Sequence, residues 1–236
     1  METPVHAPYR ERVRIEIKKL REMPFKKKME YIWDYYKIPI IVTIAIIFVI
    51  GSFINSRFIN PAPDAALFVV WNAGFATDEQ LNSMKETFET KIIDEEKNED
   101  VIITTFFTMA EDPSISMINI QRLAAMLAAG EIDVFLVGSQ MLEEYALLGY
   151  LQPMESVLAE IRVINPAVYE RINENIVRGD IETEDRSTAE RIIGINVSDS
   201  SLVNKIGFYV NELFFGISIT AGQKENATTA LITLFE

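Results

Sequence analysis

Apolar and polar positions divide the chain into three stretches with different periods. Near the N-terminus the apolar residues recur at helical spacing: Val13, Ile17 and Leu20, then, after Pro24, the set Phe25, Met29, Ile32 and Tyr36. This spacing predicts two amphipathic helices. Ile38 to Ile54 follows with no charged residue in 17 positions, and the next charge is Arg57. At 1.5 Å per residue, about 17 to 20 residues rise roughly 26 to 30 Å, the thickness of a bilayer's hydrocarbon core. Beyond that stretch, short apolar runs of strand length alternate with longer segments of helical period.

The alternation can be followed residue by residue. Ala66 to Trp71 suits a buried strand, and Asn72 to Ala76 a turn. Thr77, three residues before Gln80, has the spacing of a capping box and opens a helix to about Ile93, with Leu81, Met84 and Phe88 on its face. Val101 to Thr108 is β-branched and aromatic, a second strand. Ile115 to Ala129 is a helix ended by Gly130; Ile132 to Val137 a third strand; Met141 to Leu148 a helix stopped by Gly149. Residues 161 to 191 lose their clean period, and the expectation there is helix at first and then a loop. Ile192 to Val197 and Leu213 to Thr220 complete five strands, with a short helix at Ser200 to Ile206 and a closing helix from Lys224 to Glu236. Strand–helix alternation of this kind predicts an α/β fold: a mainly parallel sheet with helices on its faces, preceded by one transmembrane helix.

Charge sharpens the division. The 236-residue chain has a net charge of −13, but residues 1 to 37 carry ten basic residues against six acidic, whereas residues 58 to 236 carry 11 basic against 29 acidic. The predicted organisation is a basic amphipathic cytoplasmic arm (1–37), a transmembrane helix (38–56), a linker (57–64) and an extracytoplasmic α/β domain (65–236). Lys26, Lys27 and Lys28 beside the span place the N-terminus in the cytoplasm by the positive-inside rule. They also suit an arm lying on anionic lipid, each basic residue contributing on the order of 1 kcal/mol. Tyr31, Trp33, Tyr35 and Tyr36 fall where amphipathic rings favour the headgroup layer. The apolar run reads as an uncleaved signal anchor, because 37 residues precede it and no small-residue cleavage site follows.

Composition excludes several chemistries. There is no cysteine, hence no disulfide, thiolate catalysis, thiolate metal site or lipidated cysteine, and the single histidine is His6 in the arm. A Ser-His-Asp relay cannot form in the acidic domain. The adjacent Glu143 and Glu144 do not face each other on a helix, so they suit a solvated face. Asp180-x-Glu182-x-Glu184 begins like a calcium loop, but Asp185 stands where glycine is needed and Arg191 where glutamate is. An acidic surface disfavours nucleic acid. The expectation is a domain that is not an enzyme and holds no cofactor or metal.

Three segments carry a family resemblance. Leu67 to Glu89 (LFVVWNAGFATDEQLNSMKETFE) resembles the opening of extracellular solute-binding proteins of ABC importers. Gln121 to Glu160 resembles that family's pattern of helix, Gly-Glu-x-Asp-Val, strand, helix and Gly-x-Leu-x-Pro, here Gly130, Glu131, Asp133, Val134, Gly149, Leu151, Pro153 and Met154. Gly216 to Phe235 is similar to the family's final strand and helix. The resemblance covers roughly 120 residues and implies a bacterial, reduced periplasmic-binding-protein fold; only about 30 residues, 161 to 191, stand where the family has a second lobe. It implies a tethered domain that binds or senses a small solute or peptide, or an accessory partner of a transporter or other membrane complex with no small ligand.

In open sheets ligands lie beyond the C-terminal ends of parallel strands, where helix N-termini present free N–H groups. That rule selects Trp71, Asn72, Gly74 and Thr77 after the first strand, Thr108 and Glu111 after the second, Ser139 and Gln140 after the third, and Asn196 and Ser198 after the fourth. Trp71 offers a flat face for stacking or an ordinary core aromatic; Ser139 offers a ligand contact or a helix N-cap. Asn196-Val-Ser198 and Asn226-Ala-Thr228 match the glycosylation sequon, and the bacterial origin that the resemblance implies makes both matches chance.

Overall fold

The computed structural model describes residues 9–59, 63–94, 97–106, 113–182, 188–208 and 210–236. The chain divides into two units, Met1–Ala62 and Pro63–Glu236. The first holds helix α1 (Tyr9–Glu22), helix α2 (Phe25–Ile54) and a π-helical turn (Asn55–Ile59). The second expected amphipathic segment and the apolar run form one helix, α2, 30 residues long, which rises about 45 Å. Pro39 lies inside it and supplies no N–H to the helical ladder, and the hydroxyl of Thr43 donates to the Pro39 carbonyl at 2.8 Å. Tyr36 to Ile59 is long and apolar enough to cross a membrane, and its side chains are exposed throughout.

The second unit is an α/β domain on one six-stranded sheet. In chain order its elements are β1 (Asp64–Asn72), α3 (Asp78–Ile92), β2 (Glu99–Thr105), α4 (Pro113–Ala129), β3 (Val134–Val137), α5 (Ser139–Leu147), α6 (Glu155–Ile164) and α7 (Pro166–Asn173). The hairpin β4 (Ile176–Glu182) and β5 (Thr188–Asn196) follows, then α8 (Ser201–Ile206), β6 (Phe214–Ile217) and α9 (Lys224–Phe235). The spatial order is β2-β1-β3-β6-β5-β4. β1 is parallel to β2 and β3, whereas β3–β6, β6–β5 and β5–β4 are antiparallel.

The sheet is therefore mixed, and the expectation of a mainly parallel sheet holds only for its first half. β6 lies between β3 and β5 and runs against both, and β4, a strand in the segment expected to be a loop, returns against β5. Strands joined by a short connection can only return antiparallel, because a parallel neighbour needs a crossover of a dozen residues or more. Gly179 in β4 lies close against its partner strand: a Cβ there would lie 2.6 Å from Ile193 Cδ1, so the end of that side chain would have to shift. Of the expected second strand, residues 107 and 108 lie outside the described residues, as do Glu111 and His6.

Period-two alternation sends side chains to two cores. Val69, Trp71, Val134, Leu136 and Phe215 face Met84 and Phe88 of α3, Leu158 of α6, Val168 of α7, Leu202 of α8 and Leu231 of α9. Val70, Phe135, Val137 and Phe214 face Leu123, Met126 and Leu127 of α4 and Met141, Leu142 and Tyr145 of α5. Helices thus cover both faces. The capping box at α3 is present, with Thr77 Oγ1 accepting from Gln80 N at 3.2 Å and Gln80 Oε1 accepting from Thr77 N at 3.0 Å.

Candidate functional site

β1, β2, β3 and β5 run in one direction, so their C-terminal ends share one edge of the sheet. Register makes this concrete. Asn72 is opposite Val137, Val137 opposite Phe214, and Phe214 opposite Asn196, a single row across four strands. Three strand spacings separate Asn72 from Asn196, roughly 14 Å. After β1 the chain turns to α3 on one face and after β3 to α5 on the other, which is the switch-point arrangement at which open sheets form a crevice. The topology thus brings Trp71, Asn72, Gly74, Thr77, Ser139, Gln140 and Asn196 to one end of the domain.

Their side chains, however, serve the fold. Trp71 is fully buried, its Nε1 donates to the Gly74 carbonyl at 2.9 Å, and its ring lies 4.6 Å from that of Phe208. It presents no open face for stacking; the core-aromatic alternative is the one observed. Asn72 Nδ2 donates to the Tyr145 hydroxyl at 3.2 Å across the crevice, and Gly138 N donates to the Asn72 carbonyl at 3.4 Å. Gly74 takes φ of 104°, the left-handed region that the tight turn above Trp71 requires. Thr77 is spent on its cap, and Gln80 Nε2 reaches the Gly207 carbonyl at 2.7 Å.

Ser139 is the first residue of α5, and Gly138 occupies the N-cap, so the expected serine cap does not form. Gln140 is exposed beside it. Asn196 Oδ1 accepts from Ser198 N at 3.0 Å, and the Ser198 hydroxyl accepts from Leu213 N at 2.8 Å, tying the β5 end to the segment before β6. Glu143 and Glu144 are exposed, as a solvated face should be. Phe75, not among the residues that the strand-end rule selects, is an aromatic open to solvent at this end, 70% exposed in the β1–α3 turn. Its signal was legible: it alone among the residues of that turn is large and apolar.

The opposite end of the sheet carries a shallow groove of ≈390 Å³ whose walls include Asp64, Phe68, Ile102, Glu131, Asp133 and Gln223. Asp133 is buried, yet every contact it makes is internal: Oδ2 accepts from Phe68 N and Oδ1 from Gln223 N, both at 2.9 Å. Burial pushes its carboxyl above the ordinary aspartate value, opposed by backbone N–H donors from Gln223, Phe68 and Gly222. Asn226 Nδ2 likewise donates to the Ala66 carbonyl at 2.7 Å. The motif residues Asp133 and Asn226 therefore join β1 and β3 to the start of α9.

One ionic cluster lies outside both ends. Lys85 Nζ of α3 meets Asp100 of β2 at 2.8 Å and Glu89 at 3.4 Å. Burial works against ionisation at Asp100, but hydrogen bonds from Lys85 and Glu89 hold its carboxyl below the usual range; burial and the hydrogen bond to Asp100 raise that of Glu89. Among the described residues no group of three or more His, Asp or Glu side chains is placed to hold a metal ion. Compared with known proteins, the chain matches no family model, no curated protein and no solved structure.

Proposed function

We propose that the chain is a single-pass membrane protein with a cytoplasmic basic arm and an extracytoplasmic α/β domain that acts without catalysis, as an accessory partner of a transporter or other membrane complex. One observation carries this reading: the strand-end polar groups a small solute would need are consumed by the domain's own bonds. Trp71, Asn72, Thr77 and Asn196 each have an internal partner. Burying most of a small ligand's surface needs a concave cavity lined by free polar groups. The surface left open at that end, including Phe75, suits contact with another protein. The span fits the apolar length of α2, and the charge split supports the orientation. The arm's basic residues suit anionic lipid at the inner leaflet.

The test is native electrophoresis of the full chain from mildly solubilised membranes of its own cell, with mass spectrometry of the band. Migration in a band that contains a second membrane protein supports the reading. A band containing this chain alone, at every detergent strength, removes it.

A tethered solute-binding or sensing domain, the reduced periplasmic-binding-protein reading, is the second proposal. Phe75 favours it, because an exposed aromatic beside the switch-point crevice is a stacking surface for a sugar ring or peptide side chain. A ligand at about a hundred times its Kd should stabilise the domain by roughly 2.7 kcal/mol. Melting of the full chain in micelles against sugars, peptides and ions should then show a shift that Phe75→Ala abolishes. A flat panel excludes the ligands tried and leaves the accessory reading.

A further inference from the structure

α2 is longer than a bilayer requires. Its apolar part begins at Tyr36 and, with the π-helical turn, runs to Ile59, 24 residues that are enough to fill a hydrocarbon core. The same helix starts eleven residues earlier, at Phe25. That surplus carries large apolar side chains: Phe25, Met29 and Trp33 are 79, 55 and 66% exposed, Tyr36 is 37% exposed, and Ile32 is half-buried. With successive residues about 100° apart, these five positions fall within roughly 100° of the helix circumference, a single stripe. Lys26, Lys28 and Lys37 flank the stripe, while Lys27, Glu30 and Asp34 lie beyond them on the far side. Both carboxylates of the segment are therefore held away from the apolar residues.

A helix divided in this way lies along a surface with its apolar side down. Standing on the axis of the span, it would instead hold Met29 and Phe25 in water, about 10 and 17 Å beyond the start of the apolar segment.

We infer that α2 bends at Pro39 and that the turns from Phe25 to Tyr36 lie in the headgroup layer of the bilayer that the span crosses, with the stripe against the acyl chains. Pro39 stands just inside the start of the apolar segment, where such a bend belongs. Its ring offers no N–H to the Tyr35 carbonyl and crowds it, the usual cause of a sharp change in helix direction. The bilayer is the occupant because stripe and span are one continuous helix. Tyr36 ends the one and begins the other, and Ile40, one turn on, extends the same exposed apolar line into the span. Phe25, Trp33 and Tyr36 include the ring types that membrane interfaces concentrate, and the flanking amines reach lipid phosphates on flexible apolar stems. A protein groove would have to displace a surface already within reach of every residue of the stripe. The inference rests on the span of the reading above and not on its orientation, since both leaflets present phosphates over acyl chains.

The absence of native cysteine allows a direct test. In the full chain in lipid nanodiscs, a water-soluble maleimide should label Lys27→Cys and Asp34→Cys rapidly and Phe25→Cys and Met29→Cys several-fold more slowly. A nitroxide placed on Phe25→Cys before reconstitution should be relaxed more by oxygen, which concentrates among acyl chains, than by a water-soluble nickel chelate. Pro39→Ala restores the missing N–H and should raise the labelling of Phe25→Cys to the rate at Lys27→Cys. Equal labelling around the helix in the chain with Pro39 overturns the proposal. So does a nitroxide at Phe25→Cys that neither collider reaches, which assigns the stripe to a protein groove. A labelling pattern unchanged by Pro39→Ala overturns the bend. Failure of the spanning reading looks different: the chain is then released by alkaline extraction of membranes, whereas failure of this proposal leaves it embedded.

Discussion

At the scale of single residues, the molecule turns polar and aromatic groups inward that looked like ligand contacts. Trp71 is the clearest case. Its position at a strand end was legible, but whether its indole faces a ligand or the core depends on Phe208, more than 130 positions later, which no local pattern reports. Trp71→Ala should cost about 3 to 5 kcal/mol, as large aromatic truncations in cores do. Trp71→Phe should cost less, and chemical denaturation of both variants checks the order. Asp133 makes a second residue-scale prediction. Its two oxygens accept from different backbone amides, so an Asp133→Asn side chain must point an NH₂ at one of them. The expected loss is about 1 to 3 kcal/mol, a fall of several degrees in melting temperature for a domain of this size. Its place in a Gly-Glu-x-Asp-Val string marked it as special, though not as the structural tie that it is.

At the scale of elements, what the sequence carried best was whatever local rules enforce. The capping box at Thr77 and the glycine stops at Gly130 and Gly149 all stand where their chemistry puts them, with both glycines at positive φ. Thr77→Ala should accordingly destabilise by about 0.5 to 2 kcal/mol, readable by thermal melting. The missed element was β4, because IVRGDIE interleaves charges and a glycine that suit an edge strand but mimic a loop. β5 runs in the direction of β1 and β3; the direction that the alternation of elements did not report is that of β6, which lies between β3 and β5 and opposes both. The close approach of Ile193 to Gly179 across the hairpin is tertiary information that no local pattern carries. α2 bears a different prediction: if Lys26 to Lys28 set its orientation, replacing all three with glutamate should weaken or invert it, and protease accessibility of the C-terminal domain in sealed vesicles reads the result.

At the scale of the whole molecule, the acidic surface sets the response to solution conditions. Screening the self-repulsion should raise the domain's melting temperature as sodium chloride is increased. The pH response has two opposed parts. Asp133 has a raised carboxyl, so its contribution is fully present below the ordinary aspartate value and is lost as pH climbs through its folded value. Asp100 is lowered, so its contribution is present above the ordinary value and disappears as pH falls through its folded one. Stability should thus rise as pH falls through the folded value of Asp133 and fall again below the ordinary aspartate range, where Asp100 takes up its proton, and Asp133→Asn should flatten the first limb in a melting series.

The order of strands also has a consequence in time. β6 is last of the six along the chain, yet it lies between β3 and β5 at the middle of the sheet. As the chain lengthens, β2-β1-β3 and the β4–β5 hairpin can each pair within themselves, but nothing joins the two groups until β6 is available. Closure of the sheet must wait for some twenty C-terminal residues, which close both cores at once with Phe214, Phe215 and α9. A nascent chain halted before Phe214 would expose two facing strand edges, a form that quality-control proteases and chaperones are built to recognise.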